Sequence, residues 1–63
     1  MTKKKFRKQL MANGVKRNRA SEFADYIARM SQYSTKYKLT AESCGAVVQL
    51  NKAEPDTPAF ALI

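Results

Sequence analysis

One cysteine and no histidine in 63 residues leave this chain without a covalent or metal staple. An intramolecular disulfide needs two cysteines, and a structural zinc site needs about four Cys or His ligands. A domain below roughly 70–80 residues seldom draws more than about 3–5 kcal/mol from a single core. The fold must therefore rest on side-chain packing or on self-association, and a homodimer is one expected solution. The length admits one domain. A lone Cys44 suits a reducing cytoplasm. The basic start is not followed by an apolar run of roughly 7–15 residues, so no signal peptide is expected. No run approaches about 18 apolar residues, so no membrane span is expected either.

Charge is distributed unevenly. Lys3, Lys4, Lys5, Arg7, Lys8, Lys16, Arg17 and Arg19 all fall in the first 19 residues, with no acid among them. The other 44 residues carry four basic and five acidic side chains and sum to −1, against +7 for the whole chain. Such asymmetry points to a polyanionic partner: nucleic acid, an acidic protein face or an anionic membrane. A run of solvated lysines that serves only solubility is the plainer alternative.

The first 31 residues follow helical periodicity. Phe6, Leu10 and Met11 form an apolar stripe on a helix of about residues 3–13. Thr2 is placed to cap its start, and Asn13-Gly14 to end it. Lys3, Lys4 and Lys5 crowd the positive end of its dipole, so its first turn is expected to fray unless an anion sits there. Ala20, Phe23, Ala24, Ile27 and Met30 recur at 3–4 spacing and define a second helix of about residues 17–31, with Asn18 as its candidate cap. Asp25 and Arg29 make an i,i+4 pair.

The next segment reads two ways. Tyr33, Thr35, Tyr37 and Leu39 alternate with Ser34, Lys36, Lys38 and Thr40, the pattern of a half-buried strand. Ala46-Val47-Val48-Gln49-Leu50 then returns after a connection containing Gly45. A β-hairpin of about residues 33–40 and 46–51 is the preferred expectation, giving a small, α-rich α+β domain. The alternative is an all-α domain whose third helix is capped by Thr40 and lined by Ala41, Cys44 and Val48. The compact basic domain is expected over residues 1–52. An irregular tail interrupted by Pro55 and Pro58 is expected over 53–63, its apolar end docking on the domain.

Catalysis is not expected. There is no histidine, the acids are scattered, and two glycines cannot build a phosphate-cradling loop. Cys44 has no base beside it in sequence and reads as a small buried side chain. No cofactor and no metal are expected. The basic helix offers too small an apolar face for a membrane surface once it packs on its neighbour.

Nucleic acid fits better. A basic helix, a tight turn and a second helix with a basic start present Lys3, Lys4, Lys5, Arg7, Lys8, Lys16, Arg17 and Arg19 to phosphates. The free N–H groups at the second helix's start add to that attraction, and Asn18 and Arg19 are candidates for base edges. Aligned with the helix-turn-helix pattern of phage repressors, Val15, Ala20 and Phe23 fall on apolar positions. Gln9, Leu10 and Asn13 break the pattern, so a cationic helical hairpin is supported rather than a base-reading module. Tyr33 and Tyr37, beside Lys36 and Lys38, are candidates for stacking on single strands, with packing in or at the rim of the core as the competing role.

The run Phe6-Arg7-Lys8-Gln9-Leu10-Met11-Ala12-Asn13-Gly14-Val15-Lys16-Arg17-Asn18-Arg19-Ala20 resembles the opening of small, mostly uncharacterised proteins of phages and prophages of Gram-positive bacteria. The shared features are Arg-Lys, Leu-Met, a glycine, then Arg-Asn and alanine, over about a quarter of the chain. The resemblance implies a phage origin and action in the cytoplasm of a bacterial host; it assigns no site. The resulting expectation is a non-enzymatic, small basic phage protein that binds nucleic acid. The alternative is a protein–protein inhibitor or accessory factor that engages an acidic host or phage protein. A third possibility is a structural or assembly component that self-associates.

Overall fold

Two buried rings and one leucine set the architecture. Phe6, Leu10 and Phe23 are fully buried, and each such side chain contributes about 1.5–3 kcal/mol relative to exposure. Phe6 and Leu10 lie one turn apart on the same face of a helix, so burying both fixes that helix's rotation. In the computed structural model, which describes residues 1–62, this helix is α1, Lys3–Ala12. The Thr2 hydroxyl accepts from the Lys5 N–H at 3.1 Å and caps its start. Gly14 ends it with φ +93°, a conformation open to glycine and strained for other residues. The N–H of Val15 then returns to the Leu10 carbonyl at 3.0 Å, and the Val15 side chain turns into the core.

Helix α2, Arg17–Met30, buries Ala20, Phe23, Ala24 and Ile27 against α1. Its N-cap is Lys16, which makes no side-chain capping bond; Asn18 lies inside the helix rather than at its cap. Lys3 of α1 pairs with Asp25 of α2, so the two helices run antiparallel and close at the far end from Gly14.

The expected β-hairpin is absent. Among the described residues there is no strand, and residues 41–53 form a third helix, α3, Ala41–Ala53. The architecture is all-α. The reason lies in spacing and capping. Cys44 and Val47 are buried, and Val48 packs partly against the core. That is i, i+3, i+4 spacing, one face of a helix; a strand would put Val47 and Val48 on opposite faces. The Thr40 hydroxyl accepts from the Ser43 N–H at 3.2 Å, and Glu42 and Lys52 occupy the dipole-favoured first and last turns. Gly45 sits at an exposed position in open space and costs the helix only its propensity, about 1 kcal/mol. A lone two-stranded ribbon, by contrast, is marginal in water. The alternation over 33–40 comes from a connection in which Tyr37 and Leu39 lean on the core while Tyr33 does not. The start of this connection is held by the Tyr33 and Ser34 N–H groups, which donate to the Met30 carbonyl.

The C-terminal segment is likewise not wholly irregular. After the Glu54–Thr57 turn comes a one-turn helix, α4, Ala59–Leu62. Ala59 is buried and Leu62 packs against the same core. The radius of gyration is 10.3 Å, close to the ~10.6 Å of a folded chain of this length.

Candidate nucleic-acid interface

Burial of Phe6 and Leu10 decides where the α1 cations point. Lys4, Lys5 and Lys8 lie on the opposite, exposed face, with Met11 beside them at 39% exposure. Lys3 and Arg7 lie on the flank toward α2. With Lys4 they line a shallow groove completed by Ser21, Ala24 and Asp25. The Lys3 ammonium stands 3.0 Å from the Asp25 carboxylate, and both side chains are more than half exposed, at 58% and 53%. A surface pair of this kind is worth about 0–1 kcal/mol. Among the described residues it is the only ion pair, so Lys4, Lys5, Arg7, Lys8, Lys16 and Arg17 have no carboxylate partner there.

The start of α2 is also cationic. Lys16, Arg17 and Asn18 are exposed, and no acid stands in the first turn. The first backbone bond of the helix runs from the Ala20 N–H to the Lys16 carbonyl at 2.8 Å. The N–H groups of Arg17, Asn18 and Arg19 precede that ladder and carry the partial positive charge of a helix start. Arg17 lies one turn before Ser21 on the flank that faces α1. Ten residues of α1 span about 15 Å, roughly four phosphates of one duplex strand at 3.4 Å each.

Arg19 is placed differently from the other sequence-predicted contacts. Its Nε donates to Asn51 Oδ1 at 2.7 Å, and its two terminal nitrogens donate to the carbonyls of Thr57 at 2.7 Å and Glu54 at 3.2 Å. The guanidinium carbon lies 5.4 Å from the centroid of the Phe23 ring. Arg19 thus ties α2 to the end of α3 and to the turn before α4. Lys16 stands over the same region, lining a small groove with Gly14, Asn51, Pro55 and Asp56.

The end of the hairpin away from Gly14 adds Arg29 and Gln32, which the sequence did not place in the site. Lys3, Asp25, Ala28, Arg29 and Gln32 line a shallow depression there. The N-terminal ammonium donates to the Leu39 carbonyl at 2.8 Å, which fixes the start of α1 to the connection before α3. Arg29 has a sequence signal, since it falls one turn after Asp25; the Met1–Leu39 contact has none. The two tyrosines of the connection diverge. Tyr37 packs edge-on against Tyr26, with centroids 6.5 Å apart and planes at 79°. The Lys36 ammonium lies 6.0 Å from the Tyr37 centroid. Tyr33 is 78% exposed.

Cys44 is buried, and burial pushes its thiol pKa upward, which disfavours the nucleophilic thiolate. Among the described residues no three His, Cys, Asp or Glu side chains gather to hold a metal ion. No helix of the described residues is long and apolar enough to cross a membrane. Comparison with protein-family models, with curated proteins and with solved structures returns no match.

Proposed function

We propose that this chain is a non-enzymatic, small basic protein of phage type that binds nucleic acid in the cytoplasm of a bacterial host. The contact surface is the outward face of α1 with the start of α2: Lys4, Lys5, Arg7, Lys8, Lys16, Arg17 and Asn18. One observation carries the reading. Both helices begin with cations, and neither has an acid in its first turn. Lys16 also occupies a cap position where Ser, Thr, Asp or Asn would add about 0.5–2 kcal/mol. This arrangement lowers the stability of the free protein and is relieved by an external polyanion. The resemblance of residues 6–20 to small phage proteins supports the host setting.

The test is a fluorescence-anisotropy titration of labelled single- and double-stranded DNA and RNA at about 50 and about 200 mM salt. If four phosphates are neutralised, affinity falls about 150-fold between those conditions, from a slope of ~0.9 per phosphate. A Lys4→Ala/Lys8→Ala/Arg17→Ala variant should bind more weakly and flatten the slope by up to about 2.7. Arg19 is left intact because it holds the fold. Absence of binding at low salt overturns the proposal and directs attention to an acidic protein partner, sought by pull-down.

A further inference from the structure

We infer that Tyr33 is a stacking platform that makes single-stranded nucleic acid the preferred ligand of the cationic surface. This rests on the nucleic-acid reading above and specifies its substrate class. Of the three tyrosines, Tyr26 and Tyr37 pack against one another. Phe6 and Phe23 are fully buried. Tyr33 projects into solvent at 78% exposure, although its backbone is fixed by the N–H bond to the Met30 carbonyl at 3.0 Å. A solvent-facing ring on an anchored backbone contributes little to the core and leaves its face open to a flat partner. Phe60 is exposed as well, at 68%, but it sits on α4, which carries no basic residue and follows Glu54 and Asp56 in the chain.

Cations flank Tyr33 along the chain, Arg29 before it and Lys36 and Lys38 after it. Its neighbour Gln32 shares a depression with Lys3 and Arg29. Lys36 and Lys38, in the same connection, line a groove with Glu42 of α3, two cations against one acid. The acid in that depression, Asp25, is engaged by Lys3. From this end the exposed lysines of α1 lead back toward Arg17, so a strand whose base rests on Tyr33 has a path for its phosphates. Proteins that bind single strands combine these two elements, a cationic track and an aromatic face. A duplex buries its base faces in its own stack and offers Tyr33 nothing to pair with.

The test uses the full chain and labelled oligonucleotides of about 12 residues, single-stranded DNA and RNA and the matching duplex. Tyr33→Ala should weaken single-strand binding about 5- to 140-fold, the effect of one lost stacked base. Duplex affinity and the salt slope should stay as in the parent, and Tyr33→Phe should restore single-strand affinity. Because the side chain is exposed, the variant should melt with the parent, which separates a binding loss from misfolding. Unchanged single-strand binding in Tyr33→Ala overturns the inference, as does an equal loss on duplex. If that variant binds normally while Lys4→Ala/Lys8→Ala/Arg17→Ala fails, the nucleic-acid reading stands and the stacking role falls. If the parent binds no nucleic acid, both fall.

Discussion

Arg19→Ala should destabilise the protein far more than Arg17→Ala, two residues away. The guanidinium makes two short hydrogen bonds in half-buried surroundings, to Asn51 and Thr57 at 2.7 Å, and a longer exposed one to Glu54 at 3.2 Å. Bonds to a charged donor are worth about 1.5–3 kcal/mol each. Taking the two short ones at the lower end and halving them, because the orphaned oxygens can reach water, leaves about 1.5 kcal/mol. The contact with the Phe23 ring adds roughly 0.5–1 kcal/mol. The expected loss is therefore about 2–2.5 kcal/mol, which lowers the melting temperature by about 8–20 °C in a domain of this size. Against a total of only a few kcal/mol, that is a large share. Arg17 is exposed and makes no ion pair with the described residues, so its truncation should stay within about 0.5 kcal/mol. Arg19→Lys keeps the charge but not the fork and should recover less than half of the loss. Thermal and urea unfolding followed by far-UV circular dichroism measures all three. Equal stability of Arg19→Ala and the parent would refute the assignment of Arg19 to the fold. The same measurement guards the binding experiments, because an Arg19 variant that unfolds loses binding for that reason alone.

Local geometry sets further outcomes at four residues. Gly14→Ala should cost about 1–2 kcal/mol through its positive φ alone, since no atom crowds the added methyl; Gly45→Ala in the exposed face of α3 should instead add about 0.5–1 kcal/mol, and both are read from urea midpoints. Thr40→Ala removes the cap of α3 and should cost about 1 kcal/mol, visible as a lower melting temperature. Cys44 should react with a thiol reagent only slowly until denaturant is added. Because its folded pKa lies above the unfolded value, the folded state keeps a proton that the unfolded state loses, so stability should fall as pH rises above about 8.5.

Residues 3–30 were legible because apolar spacing outweighed the signals against it, the opposed dipole of α1 and the misplaced Asn18 cap. Phe6 and Leu10, then Ala20, Phe23, Ala24 and Ile27, keep one helical face each, and Thr2 and Gly14 bracket the first helix. Residues 33–51 misled because Tyr37 and Leu39 both lean on the core from an irregular connection and imitate a strand's alternation. The correcting signals were the Thr40–Ser43 cap and the 3–4 spacing of Cys44, Val47 and Val48. Within the candidate site, the positions of Lys4, Lys5 and Lys8 follow from the burial of Phe6 and Leu10. The role of Arg19 does not, because its partners lie 32, 35 and 38 residues away and exist only once α3 and the following turn have docked. The different fates of Tyr33 and Tyr37 depend likewise on Tyr26, a long-range partner that no local pattern reveals.

Charge counts mislead for a related reason. Eight cations in the first 19 residues look like one uniform surface. The fold sorts them: Arg19 is turned inward to hold the C-terminal segment, Lys3 is set against Asp25, and six others remain without a carboxylate partner among the described residues. The sorting is energetically lopsided. Arg19 forms charge-assisted bonds in half-buried surroundings, where water competes least. The six others, together with the lysine-capped start of α2, raise the energy of the folded chain through mutual repulsion and an opposed helix dipole. A domain with so small a core and no staple tolerates that only because the penalties are surface terms, screened over about 8–10 Å at physiological salt. Screening gives the two groups opposite responses to ionic strength. Added salt relieves the free protein's repulsion while it weakens any grip on phosphate, so stability and affinity should move in opposite directions as salt rises. A cationic surface that served only solubility would show the first change without the second.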